Sequence, residues 1–212
     1  MRNTLADVVS AALRVLDEHG LEGCSMRRVA AELDVQPSAL YHHVPNKQSL
    51  LALMADVIVD GVGERDAGVP GEDGGGHSGM ALARNACLAM RSAMLAVRDG
   101  ADVVATAAAF RLGASAVEQR LAEWVGADGA RTLLFYTFGQ AQSTQTHRHA
   151  ASLGALIGPE SGRAGQRSGT NGAPSDPVLE LDASFERGLD IILTGLESEH
   201  RATGAPTNGI LL

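Results

Sequence analysis

Aromatic residues make up only 3% of this chain of 212, cysteine occurs twice, and no run of eighteen apolar residues is present. Each shortage closes a class of protein. Few aromatics, with seven prolines and 25 glycines, disfavour the β-branched and aromatic patterning of a strand-rich sandwich. Cys24 and Cys87 are too few and too far apart for a disulfide framework or a zinc motif, and both read as small apolar core residues. Without a long apolar run there is no membrane-spanning helix. The first residues, MRNTLADVVS, carry charge where a signal peptide needs an apolar stretch, so a cytoplasmic chain with no membrane partner is expected.

A basic balance is also missing, since the formal net charge is −8. The deficit is uneven. Residues 1–50 hold five Arg and Lys against six Asp and Glu, a net of −1, which leaves −7 for the rest. Any surface facing nucleic acid therefore belongs at the N-terminal end.

What the chain does have is helical punctuation, and its Ala, Leu, Arg and Glu content favours an all-α fold. Leu5, Val8, Val9, Ala12, Leu13 and Leu16 recur with the helical period, opened by Thr4 with Asp7 three residues on and closed by Gly20. Ser25 caps a short second helix with Val29, Ala30 and Leu33 on its apolar side, and Asp34 suits the turn that follows. Pro37 fits the first position of a third helix, and Pro45 disfavours helical geometry at Val44. Asn46 caps a fourth, with Leu50, Leu51, Met54, Val57, Ile58 and Val62 on its apolar side. Further helical segments cover 80–98, 101–111, 115–125, 129–150 and 176–200, with breaks expected at Gly100, Gly113 and Gly126. Residues 66–79 and 153–177 read as flexible loops, and 202–212 as a disordered tail.

Two short helices across a tight turn, braced by a longer one, have the outline of a helix-turn-helix module. The residues then carry a more specific likeness. SMRRVAAELDVQPSALYHHVPNKQSLLALMADVIV, ARNACLAMRSAMLAVRDGADVV and ASFERGLDIILTGLESE, in that order, resemble the TetR family of bacterial repressors, and within it the tetracycline-repressor branch. The resemblance implies an N-terminal DNA-binding domain over 1–47 and a ligand-binding and dimerisation domain over 48–201, with the fourth helix as connector. It implies double-stranded operator DNA, a small-molecule effector and a second copy of the chain as partners.

The likeness assigns roles residue by residue. Arg27 takes the position that reaches a guanine edge, where a bidentate contact discriminates by roughly 1–3 kcal/mol. Gln36, Pro37, Ser38 and Ala39 lead the reading helix. Tyr41, His43 and Lys47 match positions that touch sugar and phosphate, and the caps at Ser25 and Asn46 present backbone donors beside them. Adjacent His42 and His43 diverge on a helix and have no further ligand nearby, which argues against a metal site. No nucleophile or acid–base motif accompanies them, so no enzyme is expected. The alternative is a helical ligand-binding or scaffold dimer without operator binding, since the head is not basic.

In the body, Met90, Met94, Val104, Phe110, Trp124 and Phe135 offer adaptable apolar surface for an effector, and Arg120, Gln140 and Gln142 a few polar groups. Each also reads as plain core. Leu134, Phe138 and Ala141, with Phe185, Leu189, Ile192, Leu193 and Leu196 on the last helix, form apolar stripes that the family pairs across a two-fold axis. The tetracycline branch grips a magnesium chelate through a histidine at the end of the fourth helix and another on the sixth. This chain has Gly63 and Val104 there, and Ala86 and Met90 where the branch holds the drug with asparagine and phenylalanine. Neither a cofactor nor a metal is expected, and the effector is a different bulky, largely apolar molecule.

Overall fold

The computed structural model describes residues 3–63, 79–113, 115–154 and 177–203, and contains no strand among them. In chain order the helices are α1 (Leu5–Gly23), α2 (Met26–Glu32), α3 (Pro37–Leu40), α4 (Lys47–Ile58), α5 (Gly79–Leu95), α6 (Gly100–Ala109), α7 (Ser115–Ser152) and α8 (Pro177–Thr203). The expected loops 66–79 and 153–177 lie outside the described residues except at their edges, where Gly79 and Pro177 open helices and Leu153 and Gly154 form a turn. Ala202 and Thr203 continue α8, which moves the start of the expected tail, and 204–212 lie outside the described residues.

The caps form as the side chains dictate. Thr4 and Asp7 make a reciprocal capping box, the Thr4 amide donating to Asp7 Oδ2 at 2.7 Å and the Asp7 amide to Thr4 Oγ1 at 3.2 Å. The Thr4 amide and the Thr4 hydroxyl, both donating to Asp7 Oδ2, hold the Asp7 carboxyl below its ordinary range. Ser25 and Asn46 accept from the amides of Arg28 and Ser49 at 3.3 and 2.8 Å. Asp34 adopts φ 53°, and the Asp34 and Val35 amides close onto the Ala31 and Ala30 carbonyls. That pair of bonds is the Schellman termination, here with aspartate at the left-handed position that glycine usually takes. It sets the angle between α2 and α3.

One boundary and one buried-face assignment differ from expectation. Gly100 is the first residue of α6, not a break; the left-handed residue is Asp99, φ 53°. Glycine is needed at 100 for closeness, because a Cβ there would lie 2.5 Å from the Met94 carbonyl oxygen. Val57, expected on the apolar side of α4, is 51% exposed. Gly20 and Gly126 do interrupt α1 and α7, with φ of 69° and 78°, and Gly113 sits at φ 76° between α6 and α7.

One contiguous apolar core runs from head to body. Val8, Ala12, Leu16, Val29, Leu40, Val44, Leu50 and Met54 fill the head, and Ala83, Cys87, Met90, Met94, Leu121, Leu133, Phe185 and Leu189 fill the body. α4 joins them by packing on α1 at one end and along α6 at the other.

Candidate nucleic-acid interface

α3 is four residues long and only Leu40 is buried, at 1% exposure, with Val44 just beyond it wholly buried. These two apolar anchors fasten the segment, so Gln36, Ser38, Ala39, Tyr41, His42 and His43 are left exposed and Pro37 half-buried. Tyr41 is 54% exposed, far from the usual fate of a tyrosine beside a core. Gln36 is the N-cap of α3 yet makes no side-chain capping bond, which leaves its amide available outward.

The two arginines of α2 differ. Arg28 folds back to donate to the Gly23 carbonyl at 3.2 Å, while Arg27 is exposed and makes no intramolecular bond among the described residues. Arg14 pairs with Glu32 at 2.7 Å, which offsets one of the acidic groups of the head. Lys47 is half-buried and donates to the Leu21 carbonyl at 3.3 Å. Among the nine residues assigned to DNA, Lys47 alone has its charged end turned to the protein.

The head is also clasped from the body, through residues that sequence reasoning did not single out. Arg98 Nη1 donates to the carbonyls of Asp17 and Glu18 at 2.8 and 3.0 Å, and the Leu21 amide donates to Asp99 Oδ2 at 2.8 Å. Asp99 is the N-cap of α6 but makes no cap bond there; its carboxylate crosses to α1 instead. α7 holds the same loop, since the Gln145 side chain accepts from Ala101 and donates to the Val97 carbonyl, at 3.1 and 2.8 Å. The sequence signal was the Arg-Asp-Gly turn at 98–100, read only as a break.

Among the described residues, the expected effector residues fall in different surroundings. Met90, Met94 and Val104 are wholly buried, while Phe110 and Phe135 are 58% and 64% exposed. Gln142 donates to Asp102 at 2.7 Å, Arg120 to the Val62 carbonyl at 2.6 Å, and Trp124 lies against Gly63. Gln140 is half-buried, with its carbonyl bonded to Thr144. Two adjoining hollows, about 370 and 250 Å³, open between the end of α6 and α7, lined by Ala108, Arg111, Glu118, Leu134 and Phe138 in common. Of the expected set, Phe135 alone lines them.

Six of the eight expected pairing residues, Leu134, Phe138, Ala141, Phe185, Leu189 and Leu193, are at most 7% exposed within the single chain. Ile192 and Leu196 are half-buried. The buried cation Arg91 explains part of this, tying α5 to α7 and α8. It bonds Thr144 Oγ1 at 2.9 Å, pairs with Asp182 at 2.8 Å and lies 4.8 Å from the centre of the Phe185 ring.

Known proteins bear on this arrangement. The family model for bacterial regulatory proteins of the tetR family matches residues 8–54, the head and most of α4. The tetracycline repressor protein class A from transposon 1721 of Escherichia coli is 33% identical over 205 residues, which cover 89% of this chain and 88% of that one. The crystal structure of Mycobacterium smegmatis BioQ matches with TM-score 0.71 at 29% identity, over 92% of this chain and 98% of that one. BioQ with its natural double-stranded DNA operator matches with TM-score 0.65 at 28% identity, over 92% and 98%. The exposed third helix, the capped second helix beneath it and the relatives at this coverage agree: the chain belongs to the TetR family of bacterial regulatory proteins, DNA-binding transcriptional regulators and not enzymes.

Proposed function

We propose that this chain is a repressor that binds a two-fold operator as a homodimer and releases it on binding a bulky, largely apolar small molecule, controlling an exporter, resistance or biosynthesis gene. The observation that carries the DNA part is the exposure of Arg27, Gln36, Ser38, Ala39 and Tyr41 around a helix anchored only by Leu40 and Val44. Arg27 reads a base edge; Tyr41, His43, Lys47 and the cap at Ser25 set register on the backbone. Lys47 leaves the Leu21 carbonyl for a phosphate when duplex is present.

A helix-turn-helix head reads its site in pairs. Support for the pairing face comes from what α7 and α8 leave uncovered. Their inward stripes are used up inside the chain, but Phe135 and Ile191 are 64% and 74% exposed, and Gly139 and Gly195 have nothing within 4 Å of a Cβ position. α5 meets α7 at Thr144 and α8 at Asp182, Glu186 and Asp190 through Arg84 and Arg91. At about 100° per residue, Phe135 and Ile191 fall on the far sides of their helices. Two knobs beside two glycine hollows favour a second copy there.

The effector is not a magnesium chelate of tetracycline: Gly63 offers no donor side chain, and Val104 is apolar and wholly buried. The hollows beside Phe135, Arg111 and Glu118 suit an apolar body with a polar group. Release follows when the effector favours a conformation whose heads are mis-spaced, each ligand weakening the other equally. Enrichment of duplexes from a random-sequence pool tests the reading. A palindromic motif should emerge with the wild-type chain and not with Arg27→Ala plus Tyr41→Ala, which should stay folded and dimeric; enrichment of nothing by wild type would sink it.

A further inference from the structure

α4 carries the head at one end and meets the body at the other, where the turn 59–63 follows it. Gly61 and Gly63 in that turn hold φ of 70° and 77°, and Val59 and Val62 are buried. Arg120, on the first arm of α7, donates from Nη1 to the Val62 carbonyl at 2.6 Å, across 58 residues of sequence. Its stem lies on Gly63. A Cβ at 63 would sit 3.1 Å from Arg120 Cδ, 3.3 Å from Nη1 and 3.4 Å from the Trp124 ring. So the space that a side chain at 63 would take, where the tetracycline branch has its histidine, is filled from α7. A cation bonded to a carbonyl beyond a helix C-terminus supplies a partner that the helix cannot, and favours the negative end of its dipole.

We infer that Arg120 is a positioning residue for the reading head. By fixing the turn after α4 to α7, it sets the direction in which α4 presents α3 to DNA. The head's own core contains no part of Arg120, so its loss leaves α1–α3 packed while freeing the angle at which they are carried. The inference rests on the operator-binding reading proposed above.

The test uses the full chain with Arg120→Ala, Arg120→Lys and Gly63→Ala, the last of which pushes on the same contact from the other side. Hydrogen exchange at the amides of 55–63 should quicken about tenfold in Arg120→Ala, the effect of losing one charge-assisted bond, and by at least as much in Gly63→Ala, where strain at a φ of 77° adds to the pressure on the contact. Arg120→Lys should recover most of the protection, since an ammonium can reach the same carbonyl. Affinity for a duplex enriched by the wild-type chain should fall about fivefold or more in Arg120→Ala and Gly63→Ala, the scale of a coupling between sites. The slope of affinity against salt should stay unchanged, because no phosphate contact is removed. Unaltered exchange overturns the contact's role in holding the turn. Faster exchange with unaltered affinity overturns the positioning role, as does a reduced salt slope. Failure of the wild-type chain to enrich any duplex overturns the operator-binding reading and the positioning role with it, and the exchange result still decides whether Arg120 holds the turn.

Discussion

Arg27 and Arg28 are neighbours on α2 with opposite commitments. Arg28 is spent on the Gly23 carbonyl, and Arg27 faces outward. Arg27→Ala should therefore weaken binding to the enriched operator by about 1–3 kcal/mol and relax specificity at one base pair, with thermal stability unchanged. Arg28→Ala should act mainly on the folded state, so a titration of both variants against operator and random duplex separates them. The cysteines make a second residue-scale case. Cys24 and Cys87 are 1% and 0% exposed, and burial pushes the Cys87 thiol up to about 11. Neither should react with a thiol reagent at pH 8 in the native chain on the timescale of minutes, and both should react at once in denaturant. Detection of one fast-reacting thiol in native protein would contradict this packing. Their core role was legible from composition; that Arg27 is the outward arginine was legible only through the family resemblance, because both have the same chemistry and only the position of the Gly23 carbonyl distinguishes them.

At the scale of elements, the caps and turns followed from single side chains. Thr4, Ser25, Asn46, Pro37 and Asp34 act within three or four residues of themselves, so their effects were readable before any packing was known. Gly20 shows where local reading stops. Its positive φ was foreseeable in a helix-ending glycine, but a Cβ at 20 would also lie 2.9 Å from Asp99 Oδ2, a group from the body. Gly20→Ala should thus cost more than the roughly 1 kcal/mol of backbone strain alone, lowering the midpoint of thermal unfolding measured by circular dichroism. Adding Asp99→Ala to it should cost less than the sum of the two single changes, since they disturb one contact. An additive pair would show that the clasp between α1 and the loop before α6 does not hold in solution.

At the scale of the whole molecule, the proposed homodimer needs one apolar side of α7 and α8 to face the second copy. Leu189 is wholly buried and Ile191 is 74% exposed, two residues apart on one helix. Leu189→Ala should destabilise the chain by about 2–5 kcal/mol. Ile191→Glu should leave each chain folded but shift sedimentation from dimer to monomer, and operator binding should fall with it. If Ile191→Glu remained dimeric while a conservative change at Ile192 or Leu196 broke the pair, the stripe that carries Ile192 and Leu196 would be the interface. The periodicity of hydrophobic residues identified both helices and could not assign their sides, because an apolar stripe looks the same whether its cover is the same chain or another.

The sequence by itself determined an all-helical chain, a helix-turn-helix head with its caps, and the residues of α3 that stay outside, since these depend on spacing and on side chains acting over a turn or two. Only the tertiary structure decided that Arg98 and Asp99 clasp α1, that Arg120 closes the turn after α4, that Phe135 alone of the expected effector residues lines the hollows between α6 and α7, and that Phe135 and Ile191 are large apolar side chains left uncovered on α7 and α8. Those outcomes join residues up to 81 positions apart. They depend on which helix lies against which, and no local pattern encodes the vacant space or the unpaired carbonyl that a distant side chain comes to fill.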